Sequence, residues 1–247
     1  MKSVIVATAG MLLVSGIAQA VEIKVLASNA IKEAYLELVP QFEKASGHKV
    51  ATTWAGTNDI KKRIAAGETY DLIIMSRASL DDIVKSGKVV AGSPVNLVKS
   101  GIGIAVRAGA PKPDISSGEA VKKAVLAAKS VGYSTGPSGT YLVGLFQRMG
   151  IADAIKAKVV VSQPGHPVGE YIARGEAEIG FQQVSELLPV KGIIFVGPLP
   201  ADIQEITTFA GGLHIAATQP GAAGALVKFI TAPAAVPVIK RKGLEPG

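Results

Sequence analysis

The 247-residue sequence contains no cysteine, so disulfides and thiolate chemistry are closed to it. Aromatic residues make up only 5%, and they are not interleaved with the two basic clusters, Lys61-Lys62-Arg63 and Lys240-Arg241-Lys242. That argues against the stacking and phosphate-tracking surface of a nucleic-acid binder. With three histidines, no His-x-x-x-His pair and no carboxylate cluster of ligand spacing, neither a metal site nor a cofactor is expected. The phosphate loop of NTPases is missing. Gly136-Pro137-Ser138-Gly139 lacks the second spacer of a nucleophile elbow. No repeat of fixed period occurs. Beyond the N-terminus no apolar run reaches the ~20 residues a membrane helix needs.

What is present begins with Met1-Lys2-Ser3, an apolar run from Val4 to Ile17, and Ala18-Gln19-Ala20. A basic start, a short apolar core and small residues at the last and third-last positions describe a secretory signal peptide over residues 1–20, with cleavage after Ala20 and a periplasmic destination. The remaining chain, about 227 residues, is long enough for a large core without disulfide staples, as a cysteine-free periplasmic protein requires. The net charge of +7 favours the arrival of an anionic solute. A monomer is expected.

Along the chain, extended and helical patterns alternate. Val21–Leu26 reads as a strand, and a helix follows with Ile31, Tyr35, Leu38 and Phe42 on one face and Pro40 as a kink. His48–Trp54 is a second strand, and Ile60 and Ile64 mark a second helix. Asp71–Met75 is a buried strand, followed by a helix opened by Ser76 and Ser79. Further strands are expected at 101–107, 129–132, 158–161, 178–181 and 193–196, with helices at 116–129, 141–149, 168–174, 220–230 and 233–239. This is the pattern of an α/β protein whose mainly parallel sheets are flanked by helices. Two lobes are expected, one from 21–101 plus 202–247 and the other from 102–201. A long extended run at 206–218 is expected to bridge them as a hinge.

In such sheets ligands sit beyond the carboxyl ends of the strands. Those ends carry Ser28-Asn29, Gly56-Thr57-Asn58 and Ser76-Arg77 in the first lobe. In the second lobe, Tyr133 through Tyr141 joins strand to helix and supplies Ser134, Ser138, Gly139 and Thr140, while Gln182-Gln183 ends another strand. Small hydroxyl residues and bare amides at helix starts can donate to an anion. An ordinary turn capped by Ser138 is the alternative reading of that stretch.

The element order, the signal peptide, Ser28 after the first strand and Gly56-Thr57-Asn58 after the second resemble the type II periplasmic solute-binding proteins. Tyr-Asp-Leu-Ile-Ile at 70–74, Gly-Glu-Ala-Glu-Ile-Gly at 175–180 and Gly243-Leu244 look like the molybdate-binding branch. Two features depart from that branch: Phe181-Gln182-Gln183 stands where a tyrosine is usual, and Asn29 stands where a leucine is. Side-chain amides donate and accept, which suits a carboxylate bearing other polar groups. Ala-Pro-Lys-Pro-Asp-Ile-Ser at 110–116, Tyr133-Ser134 with Ser138-Gly139, Ala173 to Ala177 and Gly180 to Gln183 are similar to bacterial aconitate isomerases.

The resemblance implies a two-lobed fold and a small anion, a polycarboxylate before others, delivered to an ABC importer. The alternative it implies is an enzyme that interconverts cis- and trans-aconitate by an allylic proton shift. Molybdate or tungstate binding is the third reading. For a base, the sequence offers His166, in a turn between Pro164 and Pro167, while Glu170 and Arg77 read equally as surface residues at helix starts.

Overall fold

The computed structural model describes residues 20–163 and 165–247, so the expected signal peptide, apart from Ala20, lies outside the described residues. In chain order, β1 (Glu22–Ser28) passes through a 3-10 turn (Asn29–Ile31) into α1 (Lys32–Ser46). Then come β2 (Lys49–Ala55), α2 (Thr57–Ala65), β3 (Leu72–Ser76), α3 (Arg77–Lys85) and the long β4 (Val95–Arg107). The middle of the chain holds α4 (Gly118–Ala127), β5 (Val131–Tyr133), α5 (Pro137–Arg148), α6 (Ala152–Ile155), β6 (Val159–Val161), α7 (Val168–Arg174), β7 (Ile179–Gln183) and α8 (Val184–Leu187). The rest is β8 (Ile193–Pro198), β9 (Ile206–Leu213), α9 (Pro220–Thr231), α10 (Val236–Arg241) and β10 (Glu245–Pro246).

The strands run in the order β2-β1-β3-β9-β4-β7-β5-β6, with β8 and β10 also paired to β4. β1 is parallel to β2 and β3, and β5 is parallel to β6 and β7. Antiparallel strands β9 and β4 join the two parallel sets, so the α/β sheet is mixed. Because side chains alternate along a strand, each parallel set feeds two cores. Val25, Ala27, Leu72 and Ile74 pack toward α1 and α9, whereas Leu26, Ile73 and Met75 pack toward α2 and α3. Likewise Ile102, Ile104 and Val106 join the core under α4 and α5, and Ala105 faces Ile172 and Leu187. Helices thus cover both faces, which is why these strands read as continuous apolar runs.

The strand shared by both sets is β4, not the expected run at 206–218. Residues 95–101 of β4 pair with β9, and residues 102–107 pair with β7 and β8. β9 ends at Leu213 and stays on the first side. At the changeover Gln204 clasps the strand: its Oε1 accepts from Ile102 N at 2.8 Å, and its Nε2 donates to Ile102 O at 3.0 Å. Pro40 lies inside a single continuous α1.

Asp71 locks β3 to the start of α9. Its carboxylate accepts from Lys24 N (2.8 Å), Thr218 N (2.7 Å) and Gln219 N (2.8 Å), and from the Thr218 hydroxyl (3.1 Å). Burial opposes ionisation here, but those donors outweigh it and hold the group below its ordinary 3.8. A lowered native pKa means stability present above about 3.8 and lost as pH falls through the native value. Asp71→Ala strands these donors and should cost about 3 kcal/mol at neutral pH by urea denaturation, a gap that narrows in acid.

Candidate functional site

Beyond the carboxyl ends of β1, β2, β5 and β7 lies a cavity of about 480 Å³. It brings together Ser28, Asn29, Gly56, Thr57 and Asn58 from the first side with Ser134, Ser138, His166, Gln182 and Gln183 from the second. Ser28 ends β1, and its hydroxyl accepts from Ala30 N, turning the chain into the 3-10 turn. Gly56 is the extended residue before α2 and has no side chain to cap it, so the first amides of α2 are left for another acceptor. Thr57 follows, only 4% exposed, and its Oγ1 has no hydrogen-bond partner within the protein. A buried hydroxyl without a partner is costly in a folded chain, which marks it as a donor kept for something that enters.

On the facing side α5 begins at Pro137, four residues earlier than the apolar spacing indicates, with Gly136 as its uncapped start. The earlier start absorbs Ser138 into the first helical turn, where it is buried against the cavity rather than capping the turn. Asn58 Nδ2 donates to Thr135 O at 2.8 Å, a direct bond between the two walls. Gln182 and Gln183 are the last residues of β7 and are almost fully buried. Gln182 Oε1 accepts from Val168 N at 2.8 Å. Gln183 Nε2 donates to the Thr207 hydroxyl at 3.0 Å, leaving its Oε1 without a partner. A half-turn of that amide would give Thr207 an acceptor and leave the NH₂ as an unused donor.

Three expected residues fall elsewhere. Ser76 and Thr140 line a neighbouring cavity of about 550 Å³ together with Arg77. Ser76 ends β3, which lies on the β9 side of β1, and Thr207 and Thr208 of β9 share that cavity. Thr140 is two residues beyond Ser138, about 200° around the helix, and its hydroxyl turns back to Gly136 O. Gly139 lines neither cavity: the space for its side chain is taken by the Ser134 carbonyl. Arg77 is engaged by Asp81 at 2.8 Å and Asn96 at 3.0 Å.

His166 sits in the lining but keeps 58% of its side chain exposed, 3.5 Å from Glu170, which also pairs with Arg174. The residue that the sequence left unnoticed is Glu186, in the four-residue α8. It lines the cavity, and burial pushes its carboxyl up to about 7, with the nearby Gln182 amide a smaller opposing influence. Among the described residues no group of three or more His, Asp and Glu side chains is placed to hold a metal ion, and no single helix is long and apolar enough to cross a membrane.

A cavity at strand ends, lined by donors from both sides, can take a small anion of several charged arms. Residues 23–245 match the family model for bacterial extracellular solute-binding proteins. The chain is 40% identical to an aconitate isomerase of a Pseudomonas species over 228 residues, 90% of this chain and 87% of that protein. It is 28% identical to a molybdate-binding protein of Azotobacter vinelandii over 92% of this chain and 90% of that one. The solved periplasmic molybdate-binding protein of Azotobacter vinelandii superposes with a TM-score of 0.75 at 18% identity, covering 91% of this chain and 99% of that chain. The protein is therefore a member of the bacterial extracellular solute-binding family, with the α/β fold of the periplasmic binding proteins.

Proposed function

We propose that this protein, exported to the periplasm by cleavage after Ala20, captures a polycarboxylate in the 480 Å³ cavity and interconverts cis- and trans-aconitate there. In this reading residues 21–101 with 202–247, and residues 102–201, act as two lobes closing on the ligand. Ser28, Asn29, Thr57 and Asn58 hold it from one lobe, and Ser134, Ser138, Gln182 and Gln183 from the other. The observation that carries the reading is the size and spread of the donor set. A tetrahedral oxyanion fills only a small part of such a space, whereas this cavity has the volume of an organic-ligand site, with donors on opposed walls that several carboxylate arms can reach together. The 40% identity to an aconitate isomerase supplies the substrate class.

The family's name favours a second reading, a carrier that hands the same polycarboxylate to an ABC permease. Incubating the purified protein with trans-aconitate and following proton NMR separates the two: conversion to the cis isomer supports the enzyme, and binding without conversion supports the carrier. Thermal-shift measurements with molybdate, tungstate and tricarboxylates test the ligand class, since a ligand of the native state raises the melting temperature.

The unpartnered Thr57 hydroxyl gives a two-signed expectation. Thr57→Val should leave the melting temperature of the free protein unchanged or higher, because a costly buried polar group is removed. It should weaken trans-aconitate binding about 10- to 100-fold by calorimetry, the loss of one hydrogen bond to a charged group.

A further inference from the structure

We infer that Glu186 carries the proton in this isomerisation, taking it from the methylene carbon of bound aconitate and returning it to the far end of the same three-carbon unit. The inference rests on the isomerase reading above. Glu186 lines the same cavity as Ser28, Thr57 and Ser138, so a polycarboxylate held by those donors lies against its carboxyl. Its short helix is pinned to the first side: the buried Ser185 Oγ donates to Ala30 O at 2.7 Å, within the turn that Ser28 opens. The Gln182 side chain shares that lining, its amide oxygen taken by the Val168 N–H at 2.8 Å.

The charged groups that share the lining are Lys32, Glu33, Asp59, His166, Glu170 and Lys191. The titration of Glu186 is set by burial and by Gln182 instead, at about 7. A carboxylate with that pKa is a stronger base than an ordinary one, yet its acid form stays populated near neutrality, so one group can both take and give the proton. His166 keeps 58% of its side chain exposed.

The step balances within the substrate. The methylene C–H bond breaks and its electron pair spreads over three carbons into the flanking carboxylates. The double bond re-forms one carbon along, and a new C–H bond closes at the former vinylic carbon. No electron is gained or lost overall. The hydroxyls of Thr57, Ser28 and Ser138 face the carboxylates on which charge builds.

The test is Glu186→Gln, which keeps the shape and removes the base. Conversion of trans-aconitate by proton NMR should fall roughly 10³-fold or more, while trans-aconitate still raises the melting temperature. In the wild type kcat/KM should rise with pH and level off above about 7. A second readout needs no turnover. A carboxyl whose native pKa is raised from 4.5 to about 7 favours folding at low pH and loses that contribution as pH rises between those values. The wild type should show this decline, and Glu186→Gln should lack it. Substrate deuterated at the methylene should deliver part of its label to the new position, as a single carrier group requires. Full activity in Glu186→Gln beside an active wild type overturns the assignment alone. A wild type that binds trans-aconitate and never converts it overturns the isomerase reading as well.

Discussion

Gly139→Ala is expected to destabilise the protein by about 3 kcal/mol and to lower its melting temperature by about 6–12 °C. The sign is the reverse of the usual one, since alanine inside a helix is normally favoured over glycine by about 1 kcal/mol. Here the added carbon overlaps the Ser134 carbonyl oxygen and comes within 2.7 Å of the carbonyl carbon. Both are backbone atoms, so no side chain can swing aside. The segment from Ser134 to Gly136 must move, and with it one wall of the cavity. Affinity for trans-aconitate should therefore fall together with stability. Gly224, inside α9, is the contrasting site: a side-chain carbon there meets nothing within 4 Å. Gly224→Ala should raise the melting temperature slightly and leave binding alone. A thermal melt of the two variants side by side checks both signs.

Ser138→Glu should remove binding of every small anion while sparing the fold. Ser138 lies in the first turn of α5, where the exposed helix amides favour negative charge. A carboxylate on that side chain can take the place of the ligand and satisfy the same amides from within. Two like charges about 4 Å apart in a partly buried site repel by about 4 kcal/mol, about a 10³-fold loss of affinity. Calorimetry with trans-aconitate should show no heat, and the melting temperature should stay within a few degrees of the wild type. Retained affinity for trans-aconitate would mean that Ser138 does not face the ligand.

Much of this architecture was legible along the chain because the sheet is covered on both faces. Leu72 to Met75 reads as a strand since every residue of it is buried. The first half of β4 was not legible. Asn96, Lys99 and Ser100 interrupt its apolar pattern, and it forms as a strand by pairing with β9, more than a hundred positions away. For the same reason the strand shared by the two sets is expected at 206–218 when it is β4, even though the expected boundary at 101/102 coincides with the change of partners along it.

At the site, Ser28, Thr57, Ser138 and Gln182 stand out as small polar residues ending strands or opening helices. Ser76 falls to the neighbouring cavity because β3 flanks β1 on the side of β9, opposite β2, a matter of topology rather than spacing. Glu186 could not be found by any motif. It is a lone carboxyl three residues after a strand end, and what places it in the cavity is tertiary: the preceding Ser185 is tied to Ala30, at the far end of the chain.

The central claim is that opposed walls of one cavity hold the several arms of a polycarboxylate. Calorimetric titration of the wild-type protein with trans-aconitate, beside the same titration with molybdate, tests it most directly. One-to-one binding of trans-aconitate, tighter than that of molybdate, is the expected result. Tight binding of molybdate with no heat from trans-aconitate would contradict it.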